Sequence, residues 1–218
     1  VLIRSWDRGE EAEWRRWLAE GRDFGVLAAN GPAGSGPVAT PTHFLLDADR
    51  GEILVHLAAP NPLWAALRAD PHATLTVTDD YAFAPGHWRA ADGTPPEHGV
   101  PTSYYAAVQF HCTAEILDDP ADKAELLVRQ LAHFQPETPV AAITPGAEPF
   151  GEQLPGLRGL RLTVVRVDAK FKYDDKKTPA QQATAADRLA ERGRPRDAAA
   201  RAQLLRRAAA RAGGCPAG

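Results

Sequence analysis

Methionine is absent from the 218 residues, and the two cysteines are Cys112 and Cys215. Cys112 sits in an apolar strand pattern and Cys215 far away in a Gly/Pro/Ala tail, so no structural disulfide is expected and neither thiol has metal-ligand spacing. No apolar run is long enough to span a bilayer. The opening VLIRSWDRGEE lacks the apolar core and small-residue cleavage site of a secretory signal, so the expected location is cytoplasmic. A formal charge of -3 gives no overall drive toward nucleic acid. There is no GxSxG elbow, HExxH, P-loop or GxGxxG after a strand, which argues against serine-hydrolase, zincin and classical nucleotide-binding chemistry. The seven histidines are scattered, and no pair has the spacing of two zinc ligands on one element.

What remains is a chain that is 44% hydrophobic and 24% charged, enough for one generous core with an appendage. Its most informative stretch is Gly51 to Arg68. Ile53, Val55 and Leu57 alternate with Leu54, His56 and Ala58, the pattern of a strand covered on both faces. The period then changes. Asn61 is a good N-cap, Pro62 fits the first helical position, and Leu63, Trp64 and Leu67 form a helical stripe. His56 thus sits near a strand end, just before a helix whose free N–H groups could receive an anion. A cofactor ligand and a buried core histidine both fit that position.

The rest of the chain reads as helix, strands, helix, strand and helices. A capped amphipathic helix is expected from Asp7 to Gly21, a strand over Phe24 to Ala29, and a second over Pro37 to Leu46 that completes a hairpin. Ala73 to Thr78 alternates as a half-buried strand ending at Asp79 and Asp80, and Tyr104 to Ile116 is the longest strand. Asp119-Pro120 starts a helix that ends before Pro136. A last strong strand, Gly159 to Val167, runs on to Lys170 and Lys172. Thr178, Pro179 and Gln181 form a capping box, and an Ala/Arg-rich helix follows from about Pro195. The last thirty or so residues carry eight Arg against three acids, read as a solvated face, with DNA contact as the other reading. This order predicts an α+β protein whose strands close into a small barrel. Its expected organisation is a cofactor-binding domain over residues 1–175 and a helical C-terminal extension over 176–218.

Several polar and aromatic groups fall where a ligand could use them. The Asn61 helix start, inward hydroxyls at Thr40 and Thr42, aromatics at Trp64, Trp88, Tyr104 and Tyr105, and strand-end Lys170 and Lys172 resemble a site for a flat anionic cofactor. A flavin phosphate and a porphyrin with carboxylates both fit that description.

The motifs VAT (Val38 to Thr40), H-x-A-x-x-NPxW (His56 to Trp64), VPTSYYAAVQF (Val100 to Phe110) and KFK (Lys170 to Lys172) resemble the PaiB-like branch of the FMN-binding split-barrel superfamily. The resemblance covers nearly the whole chain in the right order and implies a split β-barrel with peripheral helices. It also implies a homodimer that binds its cofactor at the interface. Ala59 stands where that branch usually has an Arg for the flavin phosphate, whereas His56 is retained. PGHW, GVPTSYYAAVQ and KFKYDDKK are similar to the heme-dependent piperazate synthases, which share this fold. That likeness implies heme b held by His56 as its metal ligand, with Asn61, Trp64, Thr42, Tyr105, Lys170 and Trp88 around the cofactor. It further implies cyclisation of the amino-acid substrate N-hydroxy-L-ornithine to L-piperazic acid, with Lys172, Tyr104 and Thr40 as the catalytic set. The alternatives are an FMN-binding PaiB-like oxidoreductase and a negative transcriptional regulator. Neither a membrane nor nucleic acid is the expected partner.

Overall fold

The computed structural model describes residues 1–90 and 93–213. Seven strands lie in one antiparallel, unclosed sheet, in the order β2-β1-β5-β6-β7-β4-β3. They are β1 (Phe24–Ala29), β2 (Val38–His43), β3 (Leu45–Asp47), β4 (Glu52–Ala58), β5 (His72–Ala84), β6 (Thr102–Leu117) and β7 (Leu157–Lys172). The helices are α1 (Glu11–Ala19), α2 (Leu63–Ala69), α3 (Pro120–Phe134), α4 (Pro179–Arg192) and α5 (Asp197–Gly213). No helix among the described residues is long and apolar enough to cross a membrane. The chain forms two compact units, one from residues 17–77 and 109–167, the other from residues 1–16, 78–108 and 168–218. Cys215 lies outside the described residues, while Cys112 is a buried free thiol that burial pushes up to about 12.

In the first unit, β1 and β2 pair as the expected hairpin, from Phe24 opposite His43 to Ala29 opposite Val38. The second strand does not continue unbroken to Leu46. Phe44 is 2% exposed and its N–H donates to Asp23 O at 2.9 Å. This turns the chain away from β1, and Leu45–Asp47 pairs with β4 instead. Ile53, Leu54 and Val55 of β4 are all buried, as a strand covered on both faces requires. Leu54 belongs to an apolar cluster with Leu126 and Leu127 of α3, so α3 covers that face up to the point where His56 emerges. Asp119 accepts from the N–H groups of Ala121 and Asp122 and fixes where α3 begins.

In the second unit, β5 runs through Asp79 and Asp80 rather than ending there. Asp80 adopts φ +51°, which aspartate tolerates better than most residues. Its buried carboxylate accepts from Gln203 Nε2 at 2.8 Å, and its carbonyl accepts from Tyr173 Oη at 2.9 Å. Asp7 does not cap the first helix, which begins at Glu11; it is buried, 3.9 Å from Lys170 Nζ. In the proline-rich connection after β5 the turns Gly86–Trp88 and Pro96–His98 meet at Gly86 and Gly99. A Cβ on either glycine would come within 2.3 Å of the other's carbonyl oxygen, so only glycine allows that approach. The Thr178 capping box and the left-handed Gly193 delimit α4 as the sequence indicates.

Several of the C-terminal arginines form specific pairs within this unit, while Arg188 and Arg194 stay on the exposed face that the sequence indicates. Arg207, with 10% of its side chain exposed, reaches both Glu13 (2.6 Å) and Asp175 (2.8 Å). Arg192 pairs with Asp197, and Arg196 pairs with Asp79.

Candidate functional site

The sequence-predicted site residues fall in both compact units, and each group has its own surroundings. In the first unit, a cavity of about 610 Å³ is lined by Asp23, Thr42, His43, His56, Gln130 and Phe134. β4 places His56 on its exposed edge of the α3-covered face, and α3 supplies Gln130, which is 2% exposed. Gln130 Nε2 donates to Leu54 O at 3.0 Å. Its Oε1 lies 2.6 Å from His56 Nδ1. Flipping the amide would place two oxygens against each other at Leu54, so Oε1 must be the acceptor and Nδ1 must carry the proton. In that tautomer the His56 lone pair is on Nε2, which has no hydrogen-bond partner among the described residues. A metal-binding histidine is normally fixed in just this way, by an outer acceptor on its other nitrogen.

The walls of the cavity are aromatic and acidic. His43 is exposed and packs edge-on against Phe24 (4.8 Å) and Phe134 (5.3 Å). Thr42 is buried and donates to the His43 carbonyl at 3.0 Å. Asp23 lies 3.6 Å from His43 Nδ1 and 3.7 Å from His133 Nε2.

The start of α2 is closed to an anion. Asn61 Oδ1 accepts from the Leu63 N–H at 2.9 Å, and the Asn61 carbonyl accepts from the Trp64 N–H at 3.3 Å. The Thr40 hydroxyl is engaged with the same Asn61 side chain, at 3.3 to 3.4 Å. Trp64 is 2% exposed and its Nε1–H donates to Ala58 O at 2.9 Å. It thus braces the β4–α2 corner.

These facts decide how well each cofactor fits. A flavin phosphate and porphyrin carboxylates both favour cationic or N–H donors; among the described residues no Lys or Arg lines the His56 cavity, Asp23 is there, and the first α2 N–H groups are taken, so this unit offers neither anion a charged partner. A histidine that holds an iron is fixed in one tautomer with a free nitrogen, and the His56 ring has that geometry. No group of three or more His, Cys, Asp or Glu among the described residues could hold a bare metal ion.

The second unit holds Tyr104, Tyr105, Lys170, Lys172 and Trp88. Tyr104 is fully buried and donates to Asp174 Oδ2 at 2.8 Å. Burial, reinforced by the Asp174 carboxylate, pushes its hydroxyl far above the usual range. Its proton is therefore committed. Arg89 binds Asp174 through two hydrogen bonds, of 2.8 and 2.6 Å. Burial alone would raise the Asp174 carboxyl, but the bonds from Arg89 and Tyr104 outweigh it and hold the group below its ordinary value. Lys170 donates to Leu2 O at 2.7 Å, and Lys172 donates to Thr102 Oγ1 at 2.8 Å. Their ammonium groups lie 5.6 and 5.9 Å from the Tyr105 ring. Trp88 stacks under the Arg192 guanidinium at 4.7 Å. Among Lys172, Tyr104 and Thr40, only Lys172 is neither committed to a carboxylate nor locked in a side-chain amide pair.

Sequence reasoning missed Gln130, Arg89 and Asp174. Gln130 did leave a signal, because it interrupts the apolar stripe of Leu126, Leu127 and Leu131 and a polar group on that face needs a partner. Arg89 and Asp174 are 85 residues apart and left none.

Residues 3–166 match the profile of the family described as "Putative FMN-binding domain". Among solved structures, the FAD and heme binding protein from Mycobacterium smegmatis superposes with a TM-score of 0.57 at 18% identity, over 76% of this chain and 73% of that one. A conserved hypothetical protein from Mycobacterium tuberculosis gives 0.54 at 21% identity, over 82% and 94%. The flavocytochrome Anf3 from Azotobacter vinelandii gives 0.51 at 16%, over 83% and 80%. No curated protein matches in sequence. At these identities the shared property is the fold, an open antiparallel sheet with flanking helices arranged as a split barrel.

Proposed function

From the premise that the chain belongs to this FMN-binding-domain family of split-barrel proteins, we propose that it binds heme b through His56 and is a heme-dependent piperazate synthase. The observation that carries the cofactor assignment is the His56–Gln130–Leu54 relay, which leaves Nε2 free beside a cavity of about 610 Å³. A fold neighbour, the FAD and heme binding protein from Mycobacterium smegmatis, is compatible with it and with flavin alike. The substrate assignment rests on the PGHW, GVPTSYYAAVQ and KFKYDDKK resemblance.

The reaction is balanced without an external oxidant. The α-nitrogen of N-hydroxy-L-ornithine forms the N–N bond as the N–O bond breaks, and the hydroxyl leaves as water with one proton. When bound, heme supplies a Lewis-acidic iron that can polarise an N–O bond. The chain's part is to hold the group and shape its surroundings. His56 would hold it by Nε2, Gln130 keeps the ring from turning, and Phe134 and His43 supply aromatic walls. A homodimer would complete the cavity, which is open in a single chain.

Incubating heme-loaded protein with N-hydroxy-L-ornithine and following product by mass is the direct test. Loss of one water from the substrate, with turnover abolished in His56→Ala, is the expected result; unchanged substrate with fully loaded protein would refute the cyclase assignment. Flavin binding, in keeping with the family's description, is the second reading, with oxidoreductase activity or transcriptional regulation as its roles. It predicts a yellow protein whose colour survives His56→Ala.

A further inference from the structure

A second cavity, of about 350 Å³, lies within the unit formed by residues 1–16, 78–108 and 168–218. Arg4, Trp6, Asp7, Thr102, Lys172 and Lys176 are among the residues that line it. Its charge is unevenly matched. Asp174 is taken up by Arg89, and Asp175 by Arg207 at 2.8 Å and Arg211 at 3.2 Å. Asp7 faces Lys170 at 3.9 Å. That leaves Arg4, Lys172 and Lys176, none of which has a carboxylate within 4.0 Å among the described residues.

The three cations are placed, not scattered. Arg4 and Lys176 each sit 5.5 Å from the Trp6 ring, and Lys172 is anchored on the Thr102 hydroxyl. Keeping a partly buried ammonium beside another lysine is unfavourable, and burial together with Lys170 lowers the Lys172 pKa. An incoming anion would relieve that penalty, gaining charge-assisted bonds from a guanidinium and two ammonium groups. We propose that this cavity binds a small oxyanion, the carboxylate or phosphate of a small molecule, through Arg4, Lys172 and Lys176 over Trp6. The inference does not depend on the cofactor at His56.

Calorimetric titration of the full chain at low salt with succinate and, separately, inorganic phosphate tests it. Trp6 indole NMR shifts, assigned with Trp6→Phe, locate the binding. Saturable binding at one site per chain, with the Trp6 signal moving, is expected for at least one probe. Succinate alone identifies a carboxylate ligand, and phosphate alone a phosphate ester. The Arg4→Gln/Lys172→Gln pair should weaken binding at least about tenfold, since two charge-assisted bonds are lost. Arg4→Gln alters an exposed side chain only and should weaken binding by itself, so the test survives if the double variant fails to fold. No saturable binding of either probe, or affinity unchanged in Arg4→Gln and in a folded double variant, overturns the proposal.

Discussion

His56→Ala is expected to lose heme affinity by at least about 100-fold, and Gln130→Leu by about 10- to 100-fold, the range in which outer-shell partners act. The first change removes the one histidine among the described residues whose ring is fixed in one tautomer by a buried acceptor beside the cavity. The second leaves the imidazole in place but frees it to rotate and to carry its proton on either nitrogen. Gln130→Leu also strands the Leu54 carbonyl, now served at 3.0 Å, and should lower folding stability by roughly 1–3 kcal/mol. Titrating hemin into each variant, with thermal melts in parallel, separates the two effects. His56→Ala leaves the buried Gln130 Oε1 without its donor and should lower stability by about 1 kcal/mol, less than Gln130→Leu. Equal affinities in all three proteins would show that the iron ligand lies elsewhere.

Asp174→Asn is expected to cost about 3–5 kcal/mol of stability, the range for breaking a buried ion pair. Asp174 and Arg89 have 10% and 12% of their side chains exposed, so solvent screens the pair little. Asparagine keeps the shape and tolerates φ +59°, which isolates the charge. After substitution Arg89 keeps its positive charge without a carboxylate, and Tyr104 keeps a hydroxyl whose acceptor has weakened. Because the folded-state carboxyl is held below its ordinary value of 3.8, its stabilisation is fully present above that value and is lost as the pH falls below it. The stability gap between the parent and Asp174→Asn should therefore be largest near neutrality and shrink below pH 3.8. Tyr104→Phe removes one hydrogen bond and should cost less, about 1–2 kcal/mol. Denaturant unfolding from pH 7 to pH 3 reads both; a gap independent of pH would mean that the charge pair does not stabilise this unit.

What could be read from the chain beforehand follows how far apart the deciding residues are. β1, β6, α3 and α4 were legible because alternation, the Asp119-Pro120 start and the Thr178 capping box are local signals. The break at Phe44 and the continuation of β5 past Asp80 were not. The first depends on the Asp23 carbonyl, and the second on Gln203 and Tyr173, which satisfy a buried aspartate from far along the chain. Asp7 reads locally as a cap but is drawn toward Lys170, 163 residues away. The same distinction governs the site. The end of β4 marked His56, but its tautomer is set by Gln130 across 74 residues. Asn61, read as preceding free helix N–H groups, occupies two of them, Leu63 with its side-chain oxygen and Trp64 with its carbonyl.

The absorption spectrum of the purified, cofactor-loaded protein tests the central claim most directly. The account predicts a red protein with a Soret band that is lost or shifted in His56→Ala. A yellow protein with flavin absorbance, or a Soret band unchanged by that substitution, would contradict it.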